Sequence, residues 1–449
     1  MKPIRQILTL VFLASAATAQ LPSGASLNLT VSPANSTVRL TLSDPENHPY
    51  LIQSSPDLSK WTNVGLWTIH NGHLNGNLPL QASPSKLFYR AHYDPTRIVA
   101  KEDVNQALLL PATRDNYANQ TLPGRFLLQP IPGQDNTPAS NPVTDAGATL
   151  GRVLFYDKRL SLNQTISCSS CHQAAHGFSD PAKFSVGFKG GLTSRNSMGL
   201  ANARWYQREA FFWDERAATL EDQVLQPIQN EVEMGMTLPA LVTRLSEEPY
   251  YATLFNDAFG TAEVSSNRIS RALAQFVRSI ISTHTKFDAG AATGFTNFTP
   301  QENLGRQIFN GAGNCVACHG TDNFVPGPVI NNNGLENPYI DKGVGGLTGR
   351  AQDEGLFKVP SLRNIALTAP YMHDGRFATL EQVVEFYNSQ VTAHPNLSPP
   401  LRAGGPNGPP RRLNLSPDEK AALIAFLNTL TDNVLPTDSR FSDPFNYGD

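Results

Sequence analysis

Between residues 21 and 97, apolar and polar positions alternate with a period of two. Leu27-Asn-Leu-Thr-Val31 and Val38-Arg-Leu-Thr-Leu42 show it most clearly, followed by Tyr50–Ser54, Val64–Thr68 and Leu87–Ala91. Clusters of Pro, Asn, Asp, Gly and Ser separate these runs. Short, evenly spaced alternating runs predict a small β-sandwich. From about residue 100 the apolar spacing becomes helical. Thr299-Pro300-Gln301-Glu302 and Ser416-Pro417-Asp418-Glu419 each supply an N-cap, a Pro at the first helical position and a Glu at the third. Thr379-Leu-Glu-Gln382 is a third capping box, after which Leu380, Val383, Val384 and Tyr387 share one helical face. The Gly/Pro/Asn-rich segments 320–356 and 395–412 read as long functional loops.

Composition adds limits. The chain has 449 residues, so more than one domain is expected. Charged residues make up 16% and the formal net charge is −3, which excludes a basic nucleic-acid footprint. Met1-Lys2-Pro3-Ile4-Arg5, the apolar run 7–17 and Ala17-Thr18-Ala19 read as an export signal over 1–19. No later run reaches the ~20 apolar residues of a spanning helix. A soluble exported protein follows, with a periplasmic location expected.

The cysteines carry the chemistry. All four fall in two Cys-x-x-Cys-His strings, Cys168-Ser-Ser-Cys171-His172 and Cys315-Val-Ala-Cys318-His319. Each is an attachment string for c-type haem, with thiols for the vinyl groups and a His for the proximal side of the iron. A four-cysteine zinc site or a redox dithiol would not need His directly after both pairs. The expected fold is therefore mainly α, with two tandem c-type cytochrome domains at 100–295 and 296–449 behind the β-sandwich module at 21–97.

The residues opposite the two irons decide what such a chain does, because a haem closed on both sides transfers electrons and an open one meets peroxide. Met198, Met234, Met236, Met372, His176, His284, His373 and His394 are candidate ligands. His176, four residues after His172, reads as proximal-side or surface. Tyr387 reads as a core tyrosine bonded to a carbonyl or as a ligand, and the residues alone favour the core. Trp213, Gln223, Pro227 and Glu233 form a further cluster. Glu233 and Gln223 offer the carboxylate and orienting amide that O–O cleavage requires.

These motifs together resemble the bacterial di-haem cytochrome c peroxidase family, including its MauG-like branch. The likeness runs over about 140–433, through Leu150–Leu160, Phe212-Trp-Asp-Glu-Arg-Ala217, Phe357-Lys-Val-Pro-Ser-Leu-Arg-Asn364 and Leu367–Arg376. It implies that the haem on His172 reacts with peroxide, that the haem on His319 conducts electrons, and that Trp213 links them. It implies Gln223, Pro227 and Glu233 in the distal pocket, and a calcium ion held by Asn196, Thr368 and Pro370. Two departures matter. The loop expected to carry a distal His reads Val186-Gly-Phe-Lys-Gly-Gly-Leu-Thr193, with Phe188 in that place, which implies an open first haem. Where the peroxidases have a Met fourteen residues after His373 stands Tyr387, as in the maturation enzyme, which implies Tyr387 as distal ligand and a lowered potential. A third departure is Glu215, where the family motif Trp-Asp-Gly-Arg has glycine.

The reading is a di-haem peroxidase that takes H2O2 at the first haem and receives electrons through the second. A small periplasmic cytochrome c or cupredoxin would be the donor. One alternative is MauG-like oxidation of a protein or organic substrate. Another is a non-catalytic di-haem electron carrier.

Overall fold

The computed structural model describes residues 26–32, 37–43, 49–55, 57–60, 62–68, 73–79, 88–92, 107–325, 327 and 329–446. The expected export signal at 1–19 lies outside them. Six strands come first: β1 Ser26–Ser32, β2 Thr37–Ser43, β3 Pro49–Ser55, β4 Thr62–Thr68, β5 His73–Pro79 and β6 Phe88–His92. They form two three-stranded antiparallel sheets, ordered β1-β2-β5 and β4-β3-β6. The register pairs Leu27 with Leu42, Leu29 with Leu40 and Val31 with Val38. Alternation on both strands thus falls in step, which is what fixes a register. β5 gave no alternation signal, because Asn75, Gly76 and Asn77 are weak strand formers. Pairing along the whole of β2 forms it nonetheless.

The rest of the described chain is mainly helical. Its longer helices are α1 Asp145–Tyr156, α2 Leu238–Ser246, α3 Pro249–Phe259, α4 Ser266–Ser279, α5 Pro300–Asn310, α6 Leu380–Glu385 and α7 Pro417–Asn428. The three expected capping boxes open α5, α6 and α7. α6 runs out at Glu385 and widens into a π turn over Phe386–Gln390, so Tyr387 stands on that turn rather than on a regular helical face. Such turns recur at functional sites.

One helix crossing occurs twice. Gly151 on α1 meets α4 so closely that a Cβ there would stand 2.0 Å from the Ala272 carbonyl oxygen and 2.7 Å from the Phe276 Cβ. Gly305 on α5 meets α7 with the matching distances 1.9 Å to Ala422 and 2.8 Å to Phe426. Only glycine lets the backbones approach this far. Leu150-Gly-Arg-Val-Leu-Phe155 and Leu304-Gly-Arg-Gln-Ile-Phe309 carry the repeat in sequence. Periodicity within each helix does not reveal it, because the matching partners lie over a hundred residues away.

Each crossing seeds a core. Leu150, Leu154, Phe155, Tyr251, Phe255 and Phe276 anchor the first, and Leu435 and Phe441 from the end of the chain join it. Phe287, Ile308, Phe309, Phe324 and Phe426 anchor the second. Among the described residues, no helix is long and apolar enough to cross a membrane.

Candidate active site

A cavity of about 770 Å³ takes side chains from both cores, and both Cys-x-x-Cys-His strings reach it. Cys168–Cys171 is a single helical turn, and the His172 amide donates to the Cys168 carbonyl at 2.9 Å. Cys315–Ala317 is a tighter turn, with the His319 amide on the Cys315 carbonyl at 2.8 Å. Each turn therefore closes on a hydrogen bond from the His amide to the carbonyl of its first Cys. Burial pushes the thiols up, to about 12 for Cys168, Cys171 and Cys315 and to about 11 for Cys318. Among the described residues, no three His, Cys, Asp or Glu side chains converge as a metal cage, so the four cysteines do not form one tetrahedral site.

Both imidazoles are oriented alike. His172 Nδ1 lies 2.9 Å from the Phe178 carbonyl oxygen and His319 Nδ1 lies 3.3 Å from that of Phe324. Burial holds both rings neutral, pulling His172 below its ordinary value and His319 down to about 4. A carbonyl only accepts, so a neutral ring in this pose carries its proton on Nδ1, and Nε2 is the nitrogen that would serve a ligand. Phe178 and Phe324 both adopt positive φ, 60° and 53°, which aims their carbonyls back at the rings. Motif reading missed these two residues. The only signal was a Phe six residues after one His and five after the other.

Gln223, Pro227 and Glu233 all line the cavity. Gln223 ends a short helix capped by Thr219, and Pro227 is the second residue of the next, Gln226–Gln229. The Asn230 side chain accepts from the Val232 and Glu233 amides at 2.9 and 3.1 Å and fixes this turn. Burial raises the Glu233 carboxyl above the ordinary range, with Arg216 opposing. Its charge reaches both Cys168 and Cys171. Phe188 is buried beside this turn, its amide on the Glu233 carbonyl at 2.9 Å and its ring over Gly235, but it does not line the cavity. Gln223, Pro227, Val232 and Glu233 form the wall there instead.

Trp213 stands in the same cavity, its indole N–H donating to the Asn196 carbonyl at 2.8 Å. Its ring meets His373 edge-on at 6.5 Å, and His373 stacks on Phe357 at 4.1 Å. Arg195 clamps the neighbouring Asp214 at 2.6 Å and Asp341 at 2.6 and 2.8 Å. Asn196, Thr368 and Pro370 all line the cavity.

At the second string, Tyr387 lines the cavity and its phenol is coupled electrostatically to Cys315 and Cys318. Burial raises its hydroxyl well above the usual value, and a hydrogen bond with Asn333 offsets part of this. Met372 also lines the cavity, but its sulfur accepts from the Asn333 amide at 3.4 Å. Of the other candidates, Met198 and His373 line the cavity, whereas Met234 and Met236 are core residues. His394 is buried against Asn332 and Tyr339, and His284 is 59% exposed beside Asp432.

The family sequence model described as di-haem cytochrome c peroxidase matches residues 145–294. The methylamine utilization protein MauG of Methylophilus methylotrophus is 33% identical over 300 residues, which cover 66% of this chain and 86% of that protein. The chain belongs to the di-haem cytochrome c peroxidase family. The cytochrome c551 peroxidase of Nitrosomonas europaea, another member, is 37% identical over 289 residues, covering 63% of this chain and 79% of that one. A solved structure of a MauG-like protein associated with microbial copper homeostasis superposes with a TM-score of 0.61 at 35% identity, covering 69% of this chain and 96% of that one.

Di-haem cytochrome c peroxidases imply haem c, and the donor set fits it. Two thiol pairs each adjoin an imidazole whose Nδ1 faces a backbone carbonyl, and both strings border one large cavity with an apolar lining.

Proposed function

We propose that this di-haem oxidoreductase reduces H2O2 at the first string and takes electrons in through the second. Cys168 and Cys171 would hold one haem covalently and Cys315 and Cys318 the other, with His172 and His319 as proximal ligands. The bound haems supply redox iron, one site to meet peroxide and one to store and pass an electron. Glu233 takes a proton from one peroxide oxygen and returns it to the other, while Gln223 orients the molecule and Pro227 shapes the wall. H2O2, two electrons and two protons leave as two waters. Trp213 bridges the two halves, and Asn196, Thr368 and Pro370 offer hard oxygens to a calcium ion that would hold that bridge.

The observation that carries this reading is Glu233. It is a carboxyl with raised proton affinity in the same cavity as His172, and the other histidines lining that cavity are His319 and His373. Low-temperature EPR of the ferric protein tests it. One high-spin and one low-spin signal support an enzyme, and two low-spin signals support an electron carrier instead.

Tyr387 favours a second reading of the oxidised substrate. Tyr387, if it held the second haem as a phenolate, would stabilise oxidised iron, which suits MauG-like oxidation of a protein or organic molecule as well as turnover of a small cytochrome c or cupredoxin. The twofold helix crossing supports two tandem cytochrome domains. The β1–β6 module reads as a small β-sandwich for docking, on a chain exported to the periplasm.

A further inference from the structure

Glu215 has a backbone that glycine prefers, with φ at 55°. Its side chain is only 5% exposed. It accepts the Tyr206 hydroxyl, and Arg208 donates to it through Nε at 2.7 Å and Nη2 at 2.6 Å. Tyr206 is itself buried and lines the cavity. Against that ring lies Lys358. Its ammonium stands 3.9 Å from the Tyr206 centroid and 4.9 Å from that of Phe211, and its amide donates to the Trp213 carbonyl at 2.8 Å.

Lys358 is buried and lines the cavity into which both Cys-x-x-Cys-His strings project. Four arginines line it too: Arg195 and Arg216 pair with Asp214, Arg363 pairs with Asp288, and Arg411 donates to the Ala312 carbonyl on the side of the second string. Among the described residues, no carboxylate stands within ion-pair distance of the Lys358 ammonium. Two aromatic faces offset only part of the cost of burying a cation. Burial accordingly pulls Lys358 down to about 8, against the opposing charge of Glu215. The ammonium has no ion-pair partner among the described residues, and haem brings carboxylates in its propionate arms.

We propose that Lys358 pairs with a haem propionate in this cavity, and that Glu215, through Tyr206, is the positioning residue that keeps its ammonium there. This rests on the di-haem reading above. Glu215 is thereby part of a second layer behind the cation.

The test uses the exported full chain, with haem content measured first and then potentiometric titration. A wild-type chain without two covalent haems overturns the di-haem reading itself, before any variant is compared. With two haems present, Lys358→Met should lower the reduction equilibrium of one haem about tenfold, about 59 mV for one electron. Loss of a nearby positive charge disfavours the reduced state, which sets that sign. Lys358→Arg should restore the wild-type midpoint. Glu215→Gly should shift the same midpoint, and that shift should vanish in the Lys358→Met background. Unchanged midpoints in Lys358→Met, or an equal Glu215→Gly shift in both backgrounds, overturn the proposal. Should Lys358→Met fail to fold or load haem, Tyr206→Phe decides, because it alters no charge. A lowered midpoint for one haem supports the proposal and unchanged midpoints overturn it.

Discussion

The indole N–H of Trp213 donates to the backbone carbonyl of Asn196 at 2.8 Å. That bond ties the residue expected to carry electrons to a residue expected to hold calcium. The Asn196 amide in turn donates to the His373 carbonyl at 2.8 Å, so the bridge is braced from the second half of the chain. Replacing Trp213 by Phe keeps an aromatic ring but removes this donor. Haem content should stay at two per chain, while electron exchange between the haems slows at least about tenfold, the effect of adding ~1.4 kcal/mol to its barrier. Stopped-flow spectra of the half-reduced protein measure it, and an unchanged rate sinks the bridging role.

Calcium removal should act through the same bond. Chelation is expected to take bound calcium from one ion per chain to none, read by elemental analysis, and to slow the same electron exchange. Asn196→Ala should reproduce both effects. Calcium loss with unaltered exchange would separate the ion from the bridge.

With Tyr387 as the proposed ligand of the second haem, Tyr387→Met would exchange a phenolate for a thioether there. The midpoint of that haem should rise by on the order of 0.1 V, a modest part of the ~0.8 V range that axial ligands span. The first haem should hold its value. If neither potential moves, Tyr387 is a buried core tyrosine and not a ligand.

The doubled helix crossing predicts a stability effect away from the chemistry. Gly305→Ala places a Cβ about 1.9 Å from the Ala422 carbonyl oxygen. The helices must part, at a cost of about 1–3 kcal/mol. Thermal unfolding should show a clearly lowered Tm for Gly305→Ala and for Gly151→Ala alike. Wild-type melting in both would mean that the crossings are looser than the structure has them.

Local signals made much of this molecule legible. The capping residues Thr299, Thr379 and Ser416 act on neighbours three positions away, and all three helices start where they indicate. The Cys-x-x-Cys-His strings are equally local. What escaped depends on residues far apart in sequence. β5 needs the edge of β2, and the Gly151–Ala272 and Gly305–Ala422 contacts each join two distant helices. The π turn under Tyr387 has no sequence mark, and the carbonyls of Phe178 and Phe324 act through backbone that composition does not report. The spacing that marks Phe188 does not reveal that its ring turns onto Gly235 rather than into the cavity.

The most direct test of the central claim is the peroxide reaction of Glu233→Gln. Glutamine keeps the size of the side chain and removes the transferable proton. The rate of peroxide-driven haem oxidation, followed by stopped-flow across pH, should fall about 10²–10⁴-fold. In the wild type, loss of the carboxylate on acidification should slow the reaction. That limb should lie above the ordinary Glu value of about 4.3, because burial raises this carboxyl. The variant should lack the limb. A Glu233→Gln protein with two haems, the wild-type rate and the wild-type pH profile would contradict the account.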